Sequence, residues 1–192
     1  MAATRSPRRA DSQRNYERLL AAADQAFAEH GTGTSLEAIA RAAGVATGTL
    51  YSHFPNRVAL IGALLRDRHR ELFALGDRLL ALPSPAEGLT SWIHAVVKHA
   101  ATYQGLAGVL VAGLQGEASE LHAECERMTS LGEQLTHRAA DVLRPGTTSA
   151  DVFAVISSAA WVREQVSAEQ SDRLLAIAID GLLHGHATPP SQ

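Results

Sequence analysis

The segment TGTLYSH, residues 47–53, combines small side chains and hydroxyl groups with a glycine. If it is helical, Leu50 and Phe54 lie four residues apart on one face and must point into a core. The opposite face carries Gly48, Thr49 and Ser52. That face is small, polar and without carboxylates, so it can approach DNA closely and its hydroxyls can donate to phosphates or base edges. The chemistry that this segment predicts is hydrogen bonding to a nucleic acid.

The elements before this segment have the layout that such a surface needs. Ser35 is a suitable N-cap for a short helix that contains Leu36, Ile39, Ala40 and Ala43. Gly44 permits a left-handed turn, and Pro55 ends the next helix, which runs from about Thr47 to His53. Two short helices joined by a tight glycine turn predict a helix-turn-helix.

Charge is distributed unevenly along the chain. Residues 1–70 hold ten arginines and six carboxylates, a net charge of +4, whereas residues 71–192 hold seven cations and fourteen carboxylates, a net charge of −7. A basic N-terminal part on an acidic remainder is expected when one end of a protein meets a polyanion. Residues 1–11, with Arg5, Arg8 and Arg9, read as a disordered basic arm that reaches a minor groove or is an untethered tail.

The rest of the chain has helical periodicity and no period-two strand pattern. A stripe from Tyr16 to Phe27 predicts a first helix that ends at His30. Asn56 caps a fourth helix that reaches about Leu82. Apolar spacings of three and four predict further helices over 89–100, around 109–110, over 121–142, 149–166 and 168–186. We therefore expect an all-α protein of about nine helices.

Several classes of protein are disfavoured. The sequence has no P-loop, no G-x-S-x-G, no dinucleotide fingerprint and no metal-ligand spacing, so we expect no enzyme, no cofactor and no metal. Cys125 is the only cysteine, and none of the nine histidines forms an i, i+4 pair. The chain has no apolar run long enough for a membrane span, and no apolar segment follows the N-terminal arginines. These features predict a cytoplasmic protein.

The stretch GVATGTLYSHFPNRVAL resembles the signature of the TetR family of regulators. Gly48, Thr49, Leu50, Tyr51, His53 and Phe54 match that signature position by position, and Ile39, Ala40, Ala43, Gly44 and Val45 match the helix and turn before it. The resemblance covers residues 12–71. It implies a three-helix DNA-binding domain over 12–71, with its motif at 34–53, and a helical ligand-binding and dimerisation domain over 72–192.

The resemblance also implies roles for the matching residues. Tyr51, His53 and Arg57 would contact the sugar-phosphate backbone, and Thr34 or Ser35 would cap the second helix and touch a phosphate. The remaining DNA-contacting candidates are Arg41, Thr47, Gly48, Thr49 and Ser52. Alternatives from the residues alone are that Tyr51 packs against the first helix, that His53 is merely solvated, and that Arg57 pairs with a carboxylate.

Three positions depart from the family pattern. Ala46 and Thr47 stand where Ser and Lys are common, which removes one cap and one cation. Glu37 occupies an exposed position where some relatives carry a base-reading arginine. A carboxylate there repels phosphate unless it accepts a hydrogen bond from a cytosine amine. We expect the N-terminal arginines to compensate.

In this family the C-terminal helices enclose a small-molecule effector and form a homodimer. The candidate pocket residues are Trp92, Val96, His99, Tyr103, Leu121, His122, Cys125, Met128 and Trp161, each of which can equally be ordinary core. The candidate dimer residues are Val152, Phe153, Ile156, Ala160, Trp161, Leu174, Ile177, Ala178, Gly181 and Leu182.

The expectation is thus a dimeric, ligand-released repressor of a palindromic double-stranded DNA operator, with no membrane association. The alternatives are an activator or ligand-independent regulator, and a helical interaction module that has lost DNA binding. The positive charge of residues 1–70 argues against the last.

Overall fold

The computed structural model describes residues 7–115 and 120–183, and within these ranges the chain forms nine α-helices, as expected. Their bounds are α1 Pro7–His30, α2 Leu36–Ala42, α3 Thr47–His53, α4 Arg57–Leu80, α5 Pro85–Ala100, α6 Leu106–Gln115, α7 Glu120–Arg138, α8 Ser149–Arg163 and α9 Ala168–Leu182. A 3-10 turn, Ala140–Val142, follows α7. The predicted all-α class is confirmed.

Helices α1 to α4 form a head whose helix-turn-helix begins and ends at the predicted signals. The Ser35 hydroxyl accepts a hydrogen bond from the Ala38 N–H and caps α2. Gly44 has a φ of +62° in the turn, and its carbonyl accepts from the Arg18 guanidinium of α1 at 3.2 Å. Leu50 is fully buried in the apolar cluster of the head, so α3 presents one fixed face to solvent.

The first helix starts earlier than the sequence pattern suggested. It begins at Pro7, inside the segment 1–11 that we expected to be a disordered arm. Proline is well tolerated in the first turn of a helix, where its missing N–H has no partner to lose. Arg8 and Arg9 therefore belong to a helix, whereas Arg5 lies outside the described residues.

Helices α5 to α9 form a body. A second apolar cluster, which includes Phe73, Trp92 and Leu135, lies among α4, α5, α7, α8 and α9, whereas the buried residues of α6 belong to the cluster of the head. Head and body are joined without a break in the backbone, because α4 runs through both. It contributes Leu60 and Ile61 to the apolar cluster of the head and Phe73 to that of the body. No helix among the described residues is both long enough and apolar enough to cross a membrane.

Candidate nucleic-acid interface and ligand cavity

The solvent face of α3 is the candidate nucleic-acid interface. Thr47, Gly48 and Ser52 are exposed, Thr49 is half-buried, and the Tyr51 side chain is 42% exposed. The Ser52 hydroxyl donates to the Gly48 carbonyl at 2.8 Å. Arg41, at the end of α2, is also exposed. The structure thus brings the small residues of α3 and one cation onto an accessible surface.

A carboxylate borders this surface. The Tyr51 hydroxyl of α3 donates to Glu37 Oε1 of α2 at 2.9 Å, and the Ser35 hydroxyl donates to Glu37 Oε2 at 3.1 Å. The pKa of Glu37 is lowered, first by a hydrogen bond from its own backbone N–H and then by these bonds from Tyr51 and Ser35. The same contact raises the pKa of Tyr51. The Tyr51 hydroxyl hydrogen is therefore already engaged within the protein.

Three other predicted contact residues turn toward the protein. The Arg57 guanidinium donates to the carbonyls of Thr32 and Thr34, so it fastens the α1–α2 loop and is not free to meet a phosphate in this conformation. The Thr34 hydroxyl donates to the Gly31 carbonyl at 3.0 Å. The half-buried His53 ring packs edge-on against Tyr16 of α1, with centroids 5.9 Å apart.

The body contains a partly open cavity of about 300 Å³ whose lining is mostly apolar. Helices α5, α6, α7 and α8 all contribute to it. The lining consists of Trp92, Val96, Ala100, Ala107, Leu110, Val111, Cys125, Met128, Thr129, Gly132, Glu133, Ser149, Ala150, Val152, Phe153, Ile156, Ser157 and Ala160. Three hydroxyl groups and the Glu133 carboxylate supply the polar positions other than Cys125, whose thiol has its pKa raised to about 11 by burial.

Of the candidate pocket residues, Trp92, Val96, Cys125 and Met128 line the cavity. His122 borders an adjoining hollow, and Leu121 is buried against α4. His99 is buried beside His69, with ring centroids 4.8 Å apart, and burial lowers its pKa to about 3. Trp161 is 61% exposed.

The candidate dimer residues divide between two faces of α8 and α9. Val152, Ile156 and Ala160 are buried inside the protomer and line the cavity. The exposed members are Phe153, Leu174, Ile177 and Gly181, while Ala178 and Leu182 are half-buried. Trp161, expected in the pocket, is 61% exposed, whereas Phe153 is 37% exposed and also lines the cavity.

The loop between α5 and α6 connects the cavity wall to the head. The Tyr103 hydroxyl donates to the Asp24 carboxylate of α1, and the Tyr103 ring packs edge-on against Phe27 at 5.9 Å. The Thr32 N–H donates to the Gln104 carbonyl at 2.8 Å. Tyr103, an expected pocket residue, therefore faces the head, and burial is the main cause of its raised pKa.

The sequence pattern missed two parts of the site. The first is the part of the cavity wall that α6 provides through Ala107, Leu110 and Val111. These residues stand at positions i, i+3 and i+4, a pattern that places them on one face of a helix and could have indicated this wall. The bond between Glu37 and Tyr51 links residues 14 apart in the chain, and no sequence periodicity indicates that contact.

Comparison with known families matches both parts of the chain. The model described as bacterial regulatory proteins of the tetR family matches residues 19–64. The model described as the C-terminal domain of SbtR-like transcriptional regulators matches residues 84–184. No curated protein matches the chain significantly.

Solved structures of similar proteins cover nearly the whole chain. A TetR transcriptional regulator from Streptomyces coelicolor is 34% identical, with 88% of this chain and 98% of that chain covered and a TM-score of 0.56. NalD, the secondary repressor of the MexAB-OprM multidrug efflux pump in Pseudomonas aeruginosa, is 28% identical, with 92% and 99% covered and a TM-score of 0.60. The helix-turn-helix, the helical body and these matches together establish that the chain belongs to the TetR family of transcriptional regulators, which are non-enzymatic DNA-binding proteins.

Proposed function

We propose that this regulator is a repressor that binds a palindromic operator as a homodimer and leaves it when a small apolar or amphipathic ligand enters the body. The head would comprise residues 12–71, and the ligand-binding and dimerisation part residues 72–192. Similarity to NalD, described as a repressor, supports the direction of control.

The observation that carries this proposal is the position of the cavity relative to the head. Helix α6 supplies part of the cavity wall, and the loop before α6 is hydrogen-bonded to α1 and to the α1–α2 loop. The Gly105 N–H at the start of α6 also donates to Glu164 at the end of α8, at 2.8 Å. A ligand that displaces α6 would therefore shift the elements that hold the head, and its differential affinity for two head positions would set the response.

The DNA-contacting residues that we propose are the accessible ones around α3. They are Ser35, Arg41, Thr47, Gly48, Thr49, Tyr51 and Ser52, with His53 at the margin. Backbone contacts would fix the orientation of the head, and the small residues at the start of α3 would meet base edges. Arg57 would support this surface from behind through its bonds to the α1–α2 loop.

The dimer that we propose uses the outer faces of α8 and α9. Trp161 and Ile177 are 61% and 67% exposed, which is unusual for large apolar side chains. A two-fold contact would bury the same surface of both protomers. Two heads related by this axis would then read two copies of one half-site.

The test is selection of bound sequences from random double-stranded DNA by the full-length protein. We expect an inverted repeat whose half-sites lie about one helical turn apart or a multiple of it. Recovery of a single asymmetric site would contradict the palindrome. Deleting the gene should raise expression from the selected operator in a reporter strain, and lower expression would contradict repression.

Ligand binding is tested by the fluorescence of Trp92, the one tryptophan that remains in a Trp161→Phe variant. A straight-chain alcohol such as 1-decanol has the apolar body and single hydroxyl that suit the lining. We expect it to change Trp92 emission and to release operator DNA at the same concentrations. An emission change without release would contradict coupling between the cavity and the head.

A further inference from the structure

Glu37 is held in a fixed position beside the exposed face of α3. Its two carboxylate oxygens accept separate hydrogen bonds, from the Tyr51 hydroxyl at 2.9 Å and from the Ser35 hydroxyl at 3.1 Å. Ser35 is itself held by capping α2, where its oxygen accepts from the Ala38 N–H at 3.1 Å. The carboxylate is therefore an ordered part of the surface, although it is exposed to solvent.

The carboxylate is also ionised at neutral pH. Hydrogen bonds from its own backbone N–H, from Tyr51 and from Ser35 all favour the charged form and lower its pKa. An ionised carboxylate has about four acceptor positions. Three are occupied by Tyr51, Ser35 and the Glu37 backbone N–H, which leaves acceptor capacity for one further donor.

A fixed negative charge restricts which part of DNA can lie against it. Phosphate is repelled, and so is any base edge that offers only acceptors. Cytosine N4 and adenine N6 are the amine donors of the major groove. Adenine N6 lies beside the N7 acceptor, which a carboxylate repels, so a carboxylate is matched to cytosine N4. The hydrogen bond from Tyr51 of α3 holds the Glu37 carboxylate beside α3. A base edge that contacts α3 would therefore also lie close to this carboxylate.

We propose that Glu37 is a specificity-determining residue that accepts a hydrogen bond from the amine of one cytosine in each operator half-site. The proposal rests on the proposed function, since it requires α3 to enter the major groove. Tyr51 and Ser35 are positioning residues that hold the carboxylate. The Glu37 carboxylate would then attract the cytosine amine and repel base edges that offer only acceptors.

The test repeats the DNA selection with Glu37→Gln and with Glu71→Gln. Glutamine preserves the size of the side chain and an acceptor for Tyr51, but it gains a donor and suits adenine. We expect Glu37→Gln to change the preferred base at one position per half-site from cytosine to adenine, and to bind the parent operator about tenfold more weakly. Glu71 is exposed on α4, and its substitution makes the same change in charge, so it should leave every position unchanged.

Three outcomes would overturn the proposal. One is a Glu37→Gln variant that binds DNA with the parent preference at every position. Another is a uniform change in affinity for all sequences, which a purely structural or repulsive role would produce. A parent protein that enriches no sequence would overturn the proposed function as well, and this result is distinct because it appears before any substitution is made. Glu37→Ala provides a second variant, expected to lose the cytosine preference without gaining one for adenine.

Discussion

At the scale of single residues, polar side chains of the head divide between the surface that we propose to face DNA and the support behind it. Arg41 and Arg57 illustrate the division. The first is exposed, and the second is half-buried with its guanidinium donating to the Thr32 and Thr34 carbonyls. The α1–α2 loop has carbonyls outside any helix, and a cation at the start of α4 satisfies two of them.

Arg57→Ala should therefore lower the free energy of unfolding by about 2 kcal/mol, because hydrogen bonds from a charged group contribute about 1.5–3 kcal/mol. Urea denaturation of the purified protein measures this change. The matched control is Arg41→Ala, which should unfold as the parent does but bind operator DNA more weakly. Equal stability of Arg57→Ala and the parent would contradict the supporting role.

At this scale, helical spacing predicts which apolar side chains are buried, but it does not predict the partners of polar side chains. Leu50 and Phe54 were expected to point inward, and both are buried. Burial follows from helical spacing, which a sequence displays directly. The partners of Arg57 lie 23 and 25 residues away, and those distances in the chain become contacts only when the loop closes.

At the scale of elements, α3 differs from its neighbours in how it begins. Ser35 and Asn56 cap α2 and α4 with side-chain hydrogen bonds, whereas Ala46 precedes α3 and provides none. The first backbone N–H groups of α3 therefore lack a side-chain acceptor from the capping position. Alanine at position 46 thus leaves α3 without a side-chain cap at the end that we propose to face DNA.

Ala46→Ser should raise the free energy of unfolding by about 1 kcal/mol, the usual contribution of an N-cap. Thermal and urea denaturation both measure it. Ala154→Ser, on the exposed side of α8, makes the same chemical change inside a helix and should lower stability by a few tenths of a kcal/mol, about the difference in helix propensity. A loss of stability in Ala46→Ser would show that α3 begins elsewhere.

The junction between α1 and the α5–α6 loop depends on a glycine. Gly31 has a φ of +75°, and a Cβ at this position would lie 2.9 Å from the Gln104 carbonyl oxygen. Gly31→Ala should lower the free energy of unfolding by about 2 kcal/mol or more, since the left-handed conformation alone costs about 1–2 kcal/mol. Gly33 lies in the same α1–α2 loop as Gly31, and a Cβ at this position would have open space around it. Gly33→Ala should therefore change the free energy of unfolding by less than about 1 kcal/mol. Equal effects of the two substitutions in urea denaturation would contradict the close approach.

Helix α8 shows where sequence patterns cannot choose a face. Apolar side chains surround it, so periodicity leaves open which of them meet the core. In the structure, Ile156 and Ala160 face the cavity while Trp161 faces solvent. That choice depends on how α8 packs against α5, α7 and α9, and only the assembled body determines it.

At the scale of the whole molecule, the apolar cluster of the head extends into the body. Phe27 and Ile39 of the head belong to the same buried cluster as Tyr103, Leu106 and Cys125 of the body. Close-packed interiors transmit displacements because neighbouring side chains have little room to adjust. A shared cluster therefore supports the proposed coupling more strongly than a flexible linker would.

The outer faces of α8 and α9 connect two such molecules in the proposed dimer. Ile177→Glu should weaken dimerisation by about a hundredfold or more, because a two-fold contact would desolvate two uncompensated carboxylates. Sedimentation velocity should show a shift from dimer to monomer, with weaker binding to the two-half-site operator and little change for a single half-site. Ala74→Glu adds the same charge at an exposed position of α4 and should remain dimeric. If Ile177→Glu sediments as the parent does, the protomers associate through another surface, and the spacing of the operator half-sites must be explained by that surface instead.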